Sequence, residues 1–358
     1  MSAVTQGVRV REVAPGAAPW RRFNVGGVGL GLAAAIVVPW ILAQSGQRFV
    51  VTLLVTVVVY AMVAQCWNLV LGVSGIFSLG QLVMYAVGGY ASSLLAIHLG
   101  LSPFLAIWVG GLAAAAIAVV IGLAILRLRG VYVALLTLGF VMLLQNYLGT
   151  GPEVFGGFYG LKSPGFGFTS NPLLWTYYLG LALFVLTTYA VWRIMYSPVG
   201  TAFTALRDSE VYAVSRGIDP FRFRILLFAY SAFFTGVAGA FMAHYQQSVT
   251  PASLSFTLLT NLIMMIVLGG WGTFWGPIVG AVLLVFLDGF VLKDISAGWH
   301  ALVLGALLAV VVIAAPEGIA PPLGRFLKRT VEGFLPGEDD DEVQDDDEVQ
   351  DDDEEDAR

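Results

Sequence analysis

Side chains able to do acid–base or metal chemistry are scarce in this sequence. Its single cysteine, Cys66, excludes a disulfide framework and any multi-thiolate metal site. The histidines His98, His244 and His300 stand far apart, each near the end of an apolar stretch, and form no HExxH-like zinc pattern. None of the lysines Lys162, Lys293 and Lys328 follows a glycine, so the Gly-Lys-Ser/Thr end of a P-loop is missing. ATP, if it drives this protein, is expected on another subunit, and no cofactor is expected on this chain. Charges within the apolar stretches are few; Asp288, beside Lys293 and Asp294, lies close enough to a stretch end to reach the interface. No buried series of Asp, Glu or His resembles a proton relay, although sodium coupling through carbonyls and amides stays open.

The neutral polar residues are more informative. Gln65, Asn68, Ser74, Ser78 and Gln81 surround a glycine-broken segment, Gly72-Val-Ser-Gly75-Ile-Phe-Ser-Leu-Gly80. Glycines that interrupt an apolar helix free backbone N–H and C=O groups, which inside a membrane must face protein or a water-filled path. A second segment, Gly269-Gly270-Trp-Gly272-Thr-Phe-Trp-Gly276-Pro277, repeats the Gly-x-x-Gly-x-Phe opening, a weak internal repeat. Asn68, Gly75, Ser78, Gln81, Gly269 and Gly272 are therefore candidates for a translocation path. The competing reading is close helix packing by small residues, as at Gly236-x-x-Gly239. Such a path carries little charge and suits a zwitterion with an apolar side chain.

These residues must be positioned by membrane helices. The chain of 358 residues is 58% hydrophobic and 12% charged, far from the balance of a soluble domain. Ten stretches approach the length a bilayer core requires: 24–43, 49–71, 81–99, 103–126, 131–149, 173–195, 222–246, 255–268, 274–292 and 298–315. The first lacks a cleavage pattern and is read as a helix that stays. The predicted fold is an all-α polytopic bundle of about ten spans.

The net charge of −6 hides two regions. Residues 338–358 hold fifteen acids and one arginine, whereas 1–337 hold seventeen basic residues against nine acids, or +8. Arg9, Arg11, Arg21, Arg22, Arg127, Arg129, Arg207, Arg216, Arg325, Lys328 and Arg329 all fall on one side of ten spans, which predicts that both termini are cytoplasmic. The expected organisation is an N-terminal arm (1–23), a transmembrane domain (24–320), a basic juxtamembrane segment (321–337) and a disordered acidic tail (338–358).

Two loops are long. The external one, 150–172, is punctuated by glycine and proline, so turns are predicted; its aromatics suit a docking surface, a cap folded back on the bundle or an interfacial belt. The cytoplasmic one begins at Ser197-Pro198, where proline stops the sixth span, and closes at Gly217 before Asp219-Pro220. Between them Phe203, Leu206, Glu210 and Val214 recur at helical spacing, predicting one or two short helices outside the membrane.

Taken together, these blocks resemble the permease subunits of branched-chain amino-acid ABC transporters, specifically the M-type member of the permease pair. The resemblance covers roughly residues 50–320. It rests on Asn68-Leu69 with Gly72, Gly75 and Ser78-Leu79-Gly80; on Leu128-Arg129-Gly130-Val-Tyr132; on Ser197-Pro198-x-Gly200 with Ala205-Leu206-Arg207-Asp208-x-Glu210 and Gly217-Ile218; and on Leu268-Gly269-Gly270-x-Gly272-Thr273-x-x-Gly276-Pro277. Departures include Thr201 for the family's arginine, Val211-Tyr212 for small alanines, and Val73, Ile76 and Gln81 for Tyr, Gln and His.

The resemblance implies a multi-pass permease of a prokaryotic plasma membrane, without ATPase activity of its own. It implies a second permease subunit, two ATPase subunits and an external substrate-binding protein as partners, and no nucleic acid. Segment 197–218 would couple the chain to the ATPase. There Gly200 and Gly217 bound the helices, Phe203 or Leu206 anchors the contact, and Arg207 and Glu210 pair across it. Branched-chain or other hydrophobic amino acids are the expected cargo. The alternatives are an ABC permease for urea or short amides, an ion-coupled secondary transporter, a passive channel, and a scaffold that transports nothing.

Overall fold

The computed structural model describes residues 25–125, 128, 130–292, 305, 306 and 318. The N-terminal arm, Arg127, Arg129, Lys293, Asp294, nearly all of the tenth predicted stretch, the basic segment at 321–337 and the acidic tail lie outside the described residues. The described chain is helical: α1 Val25–Gln44, α2 Arg48–Asn68, α3 Gln81–His98, α4 Pro103–Ile125, α5 Val131–Thr150, α6 Pro172–Met195, α7 Pro198–Asp208, α8 Glu210–Ser215, α9 Pro220–Gln246, α10 Phe256–Gly269 and α11 Gly276–Leu287. Each of the first nine predicted stretches contains a helix, though the ninth ends in a widened turn at Asp288–Leu292 in which Asp288 is half-buried. Among the described residues five helices, α2 with the turn after it, α4, α5, α6 and α9, are long and apolar enough to cross a membrane.

Hydrophobic residues around the whole circumference, rather than on one stripe, mark a helix enclosed by others. The end of α2, from Ala61 to Asn68, is buried on every side, and so is α9 from Ala238 to His244. These two form the axis of the bundle. Helices α3 and α4 pack on α9, while α6, α10 and α11 pack on α2. Lipid-like surroundings give no hydrophobic drive between helices, so close approach through small residues does that work. A Cβ on Gly110 would lie 2.6 Å from the Gly88 carbonyl, and one on Gly236 would lie 3.1 Å from the Gly111 Cα. Gly236-x-x-Gly239 thus joins α9 to α3 and α4, as the packing reading expects.

The 24 residues of α6 span about 36 Å at 1.5 Å per residue. They separate two ends of the bundle. One carries α7 and α8; the other carries the loop 151–171, folded against 247–254 through the paired residues Leu161 and Val249.

Candidate functional site

The first glycine break begins where α2 widens. At Leu69–Val73 the helix opens into a π-turn, with Ser74 N–H donating to the Leu69 carbonyl at 3.3 Å and Ile76 N–H to the Val70 carbonyl at 3.2 Å. Such widenings free main-chain groups and recur at functional positions. The chain then runs without helix to Gly80, held in place by side chains on both flanks. Trp67 Nε1–H donates to the Ser78 carbonyl at 2.8 Å, and Leu79 N–H donates to Thr137 Oγ1 of α5 at 2.9 Å. Part of the unwound backbone is thus satisfied by protein side chains.

The second break, between α10 and α11, meets the first directly. Asn68 clasps it: Nδ2–H donates to the Thr273 carbonyl at 2.8 Å, and Oδ1 accepts from Gly272 N–H at 2.9 Å. Each bond contributes about 1 kcal/mol net, and more would be lost by stranding the buried partner. The backbones themselves touch, since a Cβ on Gly72 would stand 2.6 Å from the Gly272 Cα. Phe77 of one break stacks on Trp271 of the other at 6.3 Å. Gly75 and Gly272, which hold the same place in the two Gly-x-x-Gly-x-Phe segments, both have left-handed backbones, at φ +71° and +75°.

The six candidates for a path fall into two groups. Asn68 and Gly272 form this meeting of the breaks, and Gly75, three residues beyond Gly72, lies against Arg207. Ser78, Gln81 and Gly269 occupy buried joints beside it. Gln81 Nε2 donates to Ser231 Oγ at 2.7 Å and to Thr235 Oγ1, while the Ser231 hydroxyl donates to the Cys66 carbonyl at 2.7 Å. That network ties α3 to α9 and α2. Gly269 lies against the Gly276 carbonyl, where a larger residue would collide.

Both short helices at the near end start on side-chain caps. Ser197 Oγ accepts from Gly200 N–H at 3.4 Å with Pro198 behind it, and Ser209 Oγ accepts from Tyr212 N–H at 3.3 Å. Gly200 lies tight against the end of α6, and Gly217 stops α8 with φ +83°. The helical face expected through Phe203, Leu206, Glu210 and Val214 is broken at Ser209, because an extended capping residue changes the direction of the chain.

The two parts of that face point differently. Phe203 and Leu206 are buried within this chain, Phe203 edge-on to Phe223 at 6.0 Å, so they hold α7 down and offer no anchor to an outside partner. On α8, Val211, Tyr212 and Val214 are exposed, Val211 by 83%. Arg207 and Glu210, expected to pair across a partner contact, are both engaged within the chain. Glu210 Oε2 meets Arg224 Nη2 at 3.3 Å. Arg207 Nε–H donates to Asp208 Oδ1 at 3.0 Å, while its Nη1–H reaches the Gly72 carbonyl of the first break at 3.0 Å.

The opposite end is closed by a residue whose part the sequence did not reveal. His244, 1% exposed near the end of α9, uses both ring nitrogens. Nδ1 lies 2.7 Å from the Pro164 carbonyl and 2.9 Å from Ser163 Oγ, and Nε2 lies 2.7 Å from Ser92 Oγ on α3. A carbonyl only accepts, so Nδ1 carries the hydrogen, and in the neutral ring Nε2 accepts from the Ser92 hydroxyl. Around it the 151–171 loop is packed by its aromatics: Phe166 contacts His244, Phe241 and Phe104, and Phe155 contacts Tyr90 and Tyr147. Much of the loop is a cap folded back on the bundle, with Phe158 and Tyr159 left exposed.

Apolar helices long enough to cross a bilayer, interrupted by two partly buried breaks that bond to each other, define an integral membrane protein. The model of the family described as branched-chain amino acid transport system / permease component matches residues 49–312. LivM of Escherichia coli K12, a high-affinity branched-chain amino acid transport system permease protein, is 32% identical, covering 77% of this chain and 71% of its own. LivM of Salmonella typhimurium is 33% identical, covering 74% and 68%. LivH of Escherichia coli K12 is 25% identical, covering 74% and 91%. No solved structure matches. The chain belongs to the branched-chain amino acid transport permease family, as an M-type permease subunit.

Proposed function

We propose that this chain is one of two permease subunits of an ATP-driven importer that carries branched-chain or other hydrophobic amino acids across a prokaryotic plasma membrane. Two separate subunits bind and hydrolyse ATP, an external binding protein delivers the amino acid, and the chain holds no cofactor of its own. Its termini lie on the ATPase side with α7 and α8, consistent with the distribution of arginines. The cargo is read from the names of its relatives, and a route between carbonyls, amides and aliphatic side chains would suit it.

The observation that carries this reading is the apolar surface of α8. Val211, Tyr212 and Val214 are exposed on a two-helix segment rooted in the bundle by Phe203 and Leu206. Arg216 lies over the Tyr212 ring at 5.3 Å and also donates to its hydroxyl at 2.9 Å, which stiffens the patch. An apolar helical face at a water-facing end fits a groove on a partner, and a rigidly rooted segment passes the partner's movement into the bundle. The contact therefore falls on α8 and not on Phe203 or Leu206.

The test is purification with the companion subunits and reconstitution into liposomes. Val211→Asp combined with Val214→Asp is expected to remove the ATPase subunits from the purified complex and to abolish ATP-driven leucine uptake. Retention of those subunits by the double variant would sink the docking assignment, and leucine uptake by the chain reconstituted alone would sink the importer assignment.

A further inference from the structure

Arg207 occupies an unusual place. It belongs to α7, yet its guanidinium leaves that helix and ends on the main chain of the first glycine break, at the Gly72 carbonyl. That carbonyl is available because the π-turn redirects the chain: Ile76 N–H, which a regular helix would bring back to Gly72, instead reaches Val70. The aliphatic stem of Arg207 also lies on the break. A Cβ on Gly75 would stand 2.6 Å from the Arg207 Cγ, and the left-handed backbone there further disfavours any other residue. Beyond Gly72 the contacts continue without a gap. Its Cα meets the Gly272 backbone, and Asn68, one turn back on α2, holds Gly272 N–H and the Thr273 carbonyl.

We infer that Arg207 is a positioning residue through which α7 sets the two glycine breaks, so that movement of the ATPase-facing segment is delivered to both breaks together. This rests on the reading of 197–218 as the coupling segment and adds the route that the movement takes inside the membrane domain. A guanidinium suits the task because it is always charged and offers several donors from one rigid plane. One donor stays on Asp208 of its own segment while another holds the break. The Asp208 carboxylate orients the fork from outside. Substrate need not touch Arg207 for its loss to stop transport.

The experiment uses the full complex, with companion permease, ATPase and binding-protein subunits, in proteoliposomes; leucine uptake and ATP hydrolysis are measured side by side. Arg207→Ala is expected to keep the ATPase subunits bound and to leave hydrolysis within about twofold, while uptake falls at least tenfold. Arg207→Lys, which can still reach the carbonyl with one donor, is expected to recover part of the uptake. Gly75→Ala displaces the arginine stem and is expected to uncouple in the same way. Adding it to Arg207→Ala is expected to cause little further loss, because the two changes break one link.

Loss of ATPase binding in Arg207→Ala would make the residue a docking contact and overturn the inference, leaving the coupling segment in place. Unchanged uptake, or losses that multiply in the double variant, would overturn it as well. If Val211→Asp with Val214→Asp leaves the ATPase bound, the coupling assignment itself has failed, an outcome separable from any result at Arg207.

Discussion

The two ends of the bundle are closed by opposite means. At the far end a histidine is enclosed among Ser92, Ser163 and the Pro164 carbonyl, with Phe166 against its ring, Phe241 against Phe166 and the Leu161–Val249 pair beyond. Several short-range contacts overlap there, and no net charge is required. At the near end, beside the Gly72–Gly272 backbone contact and the Phe77–Trp271 stack, single polar side chains link the segments: one arginine on one carbonyl, one asparagine across two breaks, and one half-buried ion pair. Overlapping buried contacts hold a surface in one arrangement. Single long-armed links fix a distance while leaving the segments on either side able to shift. The first end is built as a seal and the second as a joint.

The sharpest way to break that contrast is at the seal. His244→Ala strands three polar partners, each worth about 1–3 kcal/mol when buried and unsatisfied, so melting of the purified protein in detergent is expected to drop strongly. An unchanged melting temperature would show that the far end is not held by the histidine. At the joint, Asn68→Ala is expected to cost less, because it strands two main-chain partners rather than three, and to loosen the breaks selectively. Faster labelling of a cysteine placed at Trp271, in a Cys66→Ser background, reads that loosening; equal rates would mean that the backbones hold the breaks together unaided. Glu210→Gln should matter least. Its partner Arg224 and the carboxylate are both partly open to solvent, so the pair contributes about 0–1 kcal/mol, and 0.5 M salt is expected to erase the difference in melting from the parent protein. A large, salt-resistant effect there would make the near end a seal as well.

Different parts of this arrangement were legible in the sequence to different degrees. Span positions follow from apolar length, which needs no knowledge of neighbours. The short helices follow from local chemistry: Ser197-Pro198, Asp219-Pro220 and Gly217 act within a turn of their own position. Facing was not legible in the same way. Helical spacing groups Phe203 with Leu206 but does not say which body that face meets, and the cap at Ser209 cut the expected face in two. Partners far apart in sequence were the least accessible. Asn68 and Thr273 are 205 positions apart, and Arg207 and Gly72 are 135, with no periodicity linking them. The repeated Gly-x-x-Gly-x-Phe was the one local sign that the breaks belong together. His244 carried no sign beyond its place near a span end, because its partners lie in two separate segments, α3 and the 151–171 loop.

The clasp between Asn68 and the second break also sets an order of events during synthesis. Asn68 enters the membrane early, but the carbonyl it must hold emerges 205 residues later. At about 5–20 residues per second, that delay is on the order of ten to forty seconds. Throughout it the π-turn, the asparagine amide and the bare Gly72 backbone lack their final neighbours. The first break is therefore among the first segments inserted and among the last to mature, and a nascent chain interrupted before α10 would expose its unfinished backbone to whatever chaperone or insertase stands beside it.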